Sequence, residues 1–184
     1  MKEAKLFERI VAPDNLMQAW RKVRANGGGA GMDKVTLLNF EENLSQNLRT
    51  LADDLRSGHY RPRPYRIYQA PKGNGEFRPI SILTVRDRIA QRATVNVIAP
   101  LCERRFLPCS YGFREGLARQ DAVQAVAQQR DAGYRWVIDA DIRKCFETLD
   151  HELLMRRVGE LIHERRVLDL IRGWLRVGGD AGVA

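Results

Sequence analysis

A run of apolar residues with helical spacing, between Thr36 and Gly58, constrains the fold more than any other feature of the sequence. Its apolar members recur at steps of three and four and therefore share one side of an α-helix; they are Leu37, Phe40, Leu44, Leu48, Leu51 and Leu55. The other side is polar. The pattern predicts an amphipathic helix that begins at Thr36, ends at Gly58 and packs against a hydrophobic core.

The period of the pattern changes to two in the segment 65–82. Tyr65, Ile67 and Gln69 alternate with their neighbours, "KGNGE" supplies turn residues, and "FRPISIL" resumes the strand pattern. Two prolines just before this segment, Pro62 and Pro64, favour extended backbone. We predict a β-hairpin over residues 65–82.

Helical patterns occupy most of the remaining sequence. We predict a short helix capped by Asp14, a flexible glycine-rich loop over 27–31, a helix from Val85 that Pro100 kinks or ends, a helix over 118–130, a helix capped by Asp150, and a last helix ending at Gly178 and Gly179. The segment "YRWVIDADI", residues 134–142, is rich in β-forming residues and predicts a strand. Helices and a few strands without regular alternation indicate an α+β fold.

Two carboxylates, Asp139 and Asp141, lie at the end of the predicted strand 134–142. Residues two apart in a strand face the same side, so these carboxylates repel each other unless a cation lies between them. Mg²⁺, which prefers oxygen ligands, would relieve this repulsion. Alternatively, one aspartate caps a turn and the other is solvated.

The charge balance favours a polyanionic partner. The chain of 184 residues carries 31 Lys and Arg against 23 Asp and Glu, a formal net charge of +8, which favours nucleic acid first and an anionic membrane second. No apolar run approaches the roughly 18 residues of a membrane span, and a cytoplasmic location is the default expectation. The three cysteines, Cys102, Cys109 and Cys145, have no metal-site spacing and are expected to be reduced.

Basic residues concentrate around the predicted hairpin. Lys72 and Arg78 lie on opposing strands, one on each side of the turn, where they could hold a triphosphate; alternatively they are solvated residues of a loop tip. Further basic residues interleave with Tyr60, Tyr65 and Tyr68. This mixture of cations and rings suits phosphate contacts and base stacking, and its basic members are Arg61, Arg63, Arg66, Arg86, Arg88 and Arg92.

Five segments in this order resemble the reverse transcriptases of the group II intron type and their bacterial relatives. They are "GGGAGMDKVTL", "YRPRPYRIYQAPKGNGEFRPISILTVRDRIAQ", "SYGFREG", "WVIDADIRKCFETLDH" and "LIRGWL". The resemblance implies a right-hand polymerase, with fingers over residues 1–100 and a partial palm with a small antiparallel sheet over residues 101–184.

The resemblance also implies roles for individual residues. Asp141 would be the catalytic, metal-binding aspartate, and Ile142 would offer its backbone carbonyl to Mg²⁺. Lys72 and Arg78 would grip the incoming deoxynucleoside triphosphate, Phe146 would screen the sugar 2′ position, and Arg114 would lie near the nucleotide. Arg88 would lie near template or nucleotide, and Asp139 matches a common family residue that is not the metal ligand.

The sequence lacks the second palm motif of the family, an aromatic residue followed by x-Asp-Asp. Two-metal catalysis needs carboxylates from both motifs, so the chain is expected to be a fragment with an incomplete magnesium site. We therefore expect the parent protein to be an RNA-directed DNA polymerase that extends a DNA primer on an RNA template. The alternative is a non-catalytic RNA-binding module, such as a splicing cofactor or a truncated remnant. The sequence leaves the oligomeric state open.

Overall fold

The computed structural model describes residues 5–180 and confirms the α+β class. Within these residues it contains eight helices and one antiparallel pair of strands. In chain order they are α1 (Leu6–Ile10), α2 (Pro13–Asn26), α3 (Leu37–Glu42), α4 (Leu44–Ser57), β1 (Arg66–Gly73), β2 (Glu76–Ile82), α5 (Val85–Glu103), α6 (Arg119–Asp131), α7 (His151–Gly159) and α8 (Arg165–Asp180).

A single hydrophobic core lies among the helices, chiefly α1, α2, α4 and α5. Phe7, Leu51 and Ile89 are almost completely buried in it. Ile162 and Val167, from the C-terminal part of the chain, are buried in the same core. The division into fingers and palm at residue 100 stays a prediction, because this core includes residues from both sides of it.

The predicted helix 36–58 forms as two helices with a break at Asn43. Thr36 caps α3 in a reciprocal arrangement with Asn39, and Gly58 ends α4 in the left-handed conformation with φ 75°. At the break, the Asn47 side-chain amide donates to the Phe40 carbonyl at 2.9 Å. That carbonyl is thus satisfied without a backbone donor from the next turn.

The predicted hairpin is present as β1 and β2. Ala70 lies opposite Arg78 and Arg66 lies opposite Ile82, with an irregularity in the register between Pro71 and Gly73. The turn residues Asn74 and Gly75 both have positive φ, 51° and 77°, as a two-residue hairpin turn requires.

Three helix ends differ from the sequence prediction. Pro100 lies inside α5, which continues to Glu103; its missing N–H costs a single hydrogen bond within the last two turns. Helix α8 continues through Gly178 and Gly179 to Asp180. The N-cap of α2 is Ala12, and Asp14 lies in the first turn behind Pro13 at the first helical position.

The predicted strand over residues 134–142 does not form in this structure. These residues have no regular secondary structure, and Trp136 and Ile138 are each 94% exposed. A strand is stable only when a neighbouring strand pairs with it, and the two strands among residues 5–180 pair with each other. The predicted small palm sheet is therefore wrong for the described part of the chain.

Among residues 5–180, no helix is both long enough and apolar enough to cross a membrane.

The glycine-rich loop 27–31, predicted to be flexible, packs tightly against the start of α5. A Cβ on Gly31 would lie 2.6 Å from the backbone nitrogen of Thr84 and 2.7 Å from its Cα. Such distances are far below van der Waals contact, and the neighbouring atoms belong to backbone that cannot rotate away. Gly31 is therefore required by the close approach of two backbone segments.

We predict that Gly31→Ala lowers the free energy of unfolding by about 2 kcal/mol or more, because the added methyl forces the loop away from Thr84. Urea unfolding of the purified chain measures the change. Gly112→Ala is the matched control, since a Cβ at Gly112 would meet no atom within 4 Å. Equal stability of the two variants would contradict the close packing.

Candidate nucleotide and nucleic-acid interface

The turn of the hairpin and the residues beside it, 72–78, form a basic fingertip. The Lys72 ammonium pairs with the Glu76 carboxylate at 3.1 Å, and both side chains are more than half exposed. An exposed ion pair of this kind contributes little to stability, so Lys72 can leave Glu76 and bind another anion at little cost. Arg78 has no hydrogen bond or ion pair with any residue in the range 5–177. The fingertip therefore presents cationic groups to the solvent.

One face of the hairpin carries two arginines without partners in the described structure. The register places Arg66, Tyr68, Ile80 and Arg78 on the same face, because residues opposite each other and residues two apart share a side. All four side chains are exposed. This face offers guanidinium groups for phosphate and an exposed ring for stacking.

The base of the hairpin is held by a buried carboxylate, Asp87, which is 1% exposed. The Tyr60 hydroxyl donates to its Oδ1 at 2.6 Å, and the Thr84 hydroxyl and the Arg63 backbone N–H donate to its Oδ2 at 2.7 and 3.1 Å. The Trp174 indole N–H donates to the Tyr60 hydroxyl oxygen at 3.0 Å. We call these five residues the Asp87 network.

The Asp87 network joins separate parts of the chain. Tyr60 and Arg63 belong to the segment that leads into β1, Thr84 and Asp87 begin α5, and Trp174 lies on α8. The Arg86 guanidinium lies 5.1 Å from the centre of the Tyr60 ring and pairs with Asp54. The network therefore fixes the hairpin and α8 on the helical core.

Burial raises the pKa of the Tyr60 hydroxyl above its ordinary value of 10.0, and the neighbouring Asp87 carboxylate raises it further. Tyr60 therefore stays protonated at physiological pH and donates a hydrogen bond to Asp87. The positive end of α5 also favours a negative charge at Asp87, which lies in the first turn of that helix.

Arg88 binds the glycine-rich loop. Its Nη1 donates to the Gly27 carbonyl at 3.0 Å and its Nη2 to the Gly29 carbonyl at 2.8 Å. Burial lowers the pKa of Arg88, and the charge of Asp33 opposes that shift. Because these donors hold the loop, Arg88 is engaged in the fold, and its contact with template or nucleotide stays a prediction.

Arg114 is similarly engaged. It donates to the Glu103 carboxylate at 3.0 Å and to the carbonyls of Leu107 and Ser110 at 2.9 and 2.6 Å. The hydrogen bonds from Arg114 lower the pKa of Glu103. Arg114 thus stabilises the loop between α5 and α6. Its role near the nucleotide stays a prediction.

The remaining predicted nucleic-acid residues fall into bound and free groups. Arg61 donates to the carbonyls of Gly58 and Tyr60 at 2.6 and 2.8 Å, and Arg92 donates to Asn96 at 2.9 Å. The Arg63 guanidinium lies 3.9 Å from Asp33. Arg66 is the one member of this set without a partner among residues 5–177, and in this it resembles Arg78, the predicted nucleotide-binding arginine of the hairpin.

The segment that carries Asp139 and Asp141 is exposed throughout. Ile142 and Phe146 are 69% and 79% exposed. Within residues 5–177, no hydrogen bond or ion pair links Asp141 to the fingertip, and the catalytic role of Asp141 stays a prediction.

The oxygen atoms of this segment are of the type that binds Mg²⁺, but they are too few to complete a magnesium site. Carboxylate and carbonyl oxygens are the ligands that Mg²⁺ takes, commonly one or two carboxylates together with substrate phosphates and water. The described residues contain no cluster of three or more side chains able to hold a metal. Asp141 and the Ile142 carbonyl could therefore supply only part of a magnesium site.

The Asp87 network was missed by the sequence analysis. The spacing Thr84-x-x-Asp87 before an apolar helical pattern is a capping signal that locates the start of α5. No local signal relates Tyr60 to Trp174, which is 114 residues away.

Residues 70–183 match the family described as reverse transcriptase (RNA-dependent DNA polymerase). Protein YkfC of Escherichia coli (strain K12) is 36% identical over 180 residues, which cover 95% of this chain and 47% of that protein. The group II intron-encoded protein LtrA of Lactococcus lactis subsp. cremoris is 27% identical over 177 residues, 95% of this chain and 29% of LtrA. The putative COX1/OXI3 intron 1 protein of Saccharomyces cerevisiae is 28% identical over 166 residues, 90% of this chain and 20% of that protein. The chain thus spans less than half the length of each of these relatives.

We predict that the free energy of unfolding falls as the pH rises above about 10. Folding raises the pKa of Tyr60 above its unfolded value of 10.0. The protonated hydroxyl therefore stabilises the fold fully below pH 10, and this contribution is lost as the pH rises further. Tyr60→Phe removes this component of the pH dependence. It also lowers the free energy of unfolding at neutral pH by about 1–3 kcal/mol, since Asp87 and Trp174 each lose a hydrogen-bond partner.

Urea unfolding of wild type and Tyr60→Phe at several pH values between 7 and 11 measures both effects. Tyr68→Phe, at an exposed position on the hairpin, is the matched control. Equal alkaline loss of stability in wild type and Tyr60→Phe would show that Tyr60 is not the titrating group.

Proposed function

Because the chain belongs to the reverse transcriptase family, we propose that it provides the fingers and the first carboxylate motif of the palm in an RNA-directed DNA polymerase. The polymerase would add deoxynucleotides to the 3′-hydroxyl of a DNA primer on an RNA template. The similarity to LtrA, a group II intron-encoded protein, and to a COX1/OXI3 intron protein supports the same retroelement type.

The hairpin face is the observation that carries this proposal. Arg66 and Arg78 have no partner in the described structure, and Lys72 forms an ion pair with the exposed Glu76. Guanidinium and ammonium groups presented without competing internal partners suit the triphosphate of an incoming nucleotide. The Asp87 network anchors the base of the hairpin, so these cations are carried on a fixed support.

Asp141 and the Ile142 carbonyl would hold Mg²⁺ together with substrate phosphates. The ion, when bound, supplies positive charge to the attacking and leaving oxygens. Phe146, five residues after Asp141, would exclude a 2′-hydroxyl by steric contact and so favour deoxynucleotides. We infer that RNA template contacts come from Arg66 on the hairpin face and from the guanidinium donors of Arg61, Arg63, Arg86, Arg88 and Arg92 that are not used within the fold.

A non-catalytic RNA-binding module is the second candidate function. The exposure of residues 134–150 and the small number of metal ligands favour it for this chain taken alone. Both candidates predict RNA binding with a steep salt dependence. They differ in magnesium-dependent DNA synthesis, which the module lacks.

We predict that Asp141→Asn in the parent protein lowers the rate of primer extension on an RNA template by about 10³-fold, because the neutral amide is a poorer ligand for Mg²⁺. RNA affinity is expected to stay unchanged. Gel-based primer extension and RNA binding, measured on the same preparation, separate the two effects.

Asp131→Asn, at an exposed position at the end of α6, is the matched control and should extend primers at the wild-type rate. Undiminished synthesis by Asp141→Asn would overturn the polymerase proposal. Absence of synthesis by the unaltered parent, with RNA binding retained, would support the non-catalytic module.

A further inference from the structure

A basic cleft lies between α8 and the segment that follows α4. It has a volume of about 560 Å³, and four arginines and one aspartate lie in its lining. They are Arg61, Arg166, Arg172, Arg176 and Asp169. The other lining residues are apolar or glycine, apart from Tyr60. A cleft with three more positive than negative charges and largely apolar walls concentrates a positive field.

Two of the arginines are held in place by the fold. The Arg166 guanidinium stacks on the Phe7 ring at 3.6 Å, donates to the Arg56 carbonyl at 2.6 Å and lies 3.5 Å from the Glu8 carboxylate. Arg61 uses a single nitrogen, Nη1, for both of its carbonyl contacts. A guanidinium has five N–H donors, so Arg61 retains donors on Nε and Nη2. A ligand at these groups would not have to order flexible side chains first.

The other two arginines lie one turn apart on α8. Arg172 and Arg176 are four residues apart and share one side of the helix. Arg172 contacts Asp169 at 3.2 Å in a partly exposed pair, and Arg176 has no partner among residues 5–177. These side chains can move to a ligand at little cost.

A second, smaller cavity of about 210 Å³ shares the lining residue Pro62 with the cleft and also has hairpin residues in its lining. Arg63, Tyr65 and Ser81 are among the residues that line it. Two adjoining cavities, each with arginine in its lining, fit a chain of phosphates better than a single ion, because successive phosphates of a nucleic-acid backbone are spaced along a strand.

We propose that the cleft binds phosphodiester groups of an RNA strand and guides that strand along α8 to the base of the hairpin. The proposal rests on RNA as the partner of the proposed function, and it adds a binding surface on α8 that is separate from the fingertip. The guanidinium groups contact the RNA backbone, which carries no sequence information, so the site binds different RNA sequences with similar affinity.

The test uses a variant that carries both Arg172→Gln and Arg176→Gln. Its binding to a single-stranded RNA of about 20 nucleotides is compared with that of the wild-type chain. We expect the dissociation constant at low salt to rise about tenfold. The slope of log affinity against log salt should become shallower by about 1.4, since each lost phosphate contact on a single strand removes roughly 0.7. Three unrelated RNA sequences should lose affinity equally.

The matched control is the double variant Arg156→Gln with Arg157→Gln. It removes the same charge from exposed positions on α7 that do not line the cleft, and it should bind RNA within about twofold of wild type. Circular dichroism checks that both variants are folded. If the cleft variant is unfolded, side-chain NMR of the wild-type arginines replaces it, and RNA must shift the signals of Arg172 and Arg176.

The remaining outcomes decide between sources of phosphate. Equal RNA affinity of the cleft variant and its control overturns the proposal. The proposal is also overturned if the cleft variant keeps its RNA affinity but loses binding to inorganic phosphate or to vesicles of anionic lipid. Either result would assign the cleft to another ligand. Failure of the polymerase proposal has a different signature, undiminished primer extension by Asp141→Asn, which leaves RNA affinity untouched.

Discussion

The buried carboxylate of Asp87 is the constraint on which the arrangement of this molecule depends. A charge removed from water is tolerated only when donors surround it, and here Tyr60, Thr84 and the Arg63 backbone supply them. Because these donors come from both sides of the hairpin, the requirement to satisfy one carboxylate also sets where the hairpin begins and ends. The link from Tyr60 to Trp174 extends the same requirement to α8.

The predicted site arginines divide according to their internal partners. Arg88 and Arg114 use their forked donors on loop carbonyls and a carboxylate, so their charges stabilise loops. Arg66 and Arg78 have no such partners in the described part of the chain and lie on one face of the hairpin. A basic composition alone did not distinguish the two groups, whereas the hydrogen bonds do.

Local pattern predicted local structure well and long-range contact poorly. The helical period up to Gly58 and the Asn74-Gly75 turn of the hairpin depend on neighbouring residues, and both were predicted. The contact of Tyr60 with Trp174 depends on packing between distant segments, and no local pattern encodes it. The strand predicted over 134–142 failed for a related reason, because β propensity forms a strand only where a partner strand is available. For the candidate site, the sequence located the cations but not the carboxylate that holds their support.

Hydrogen exchange at the Arg63 amide tests most directly whether Asp87 anchors the hairpin. This N–H donates to Oδ2 of Asp87 in the folded chain. In Asp87→Ala the Arg63 N–H has no acceptor at this position, so we expect its exchange to accelerate at least about tenfold in the still-folded variant, with little change in the helical core around Leu51. Wild-type protection of the Arg63 amide in folded Asp87→Ala would contradict the anchoring role of Asp87.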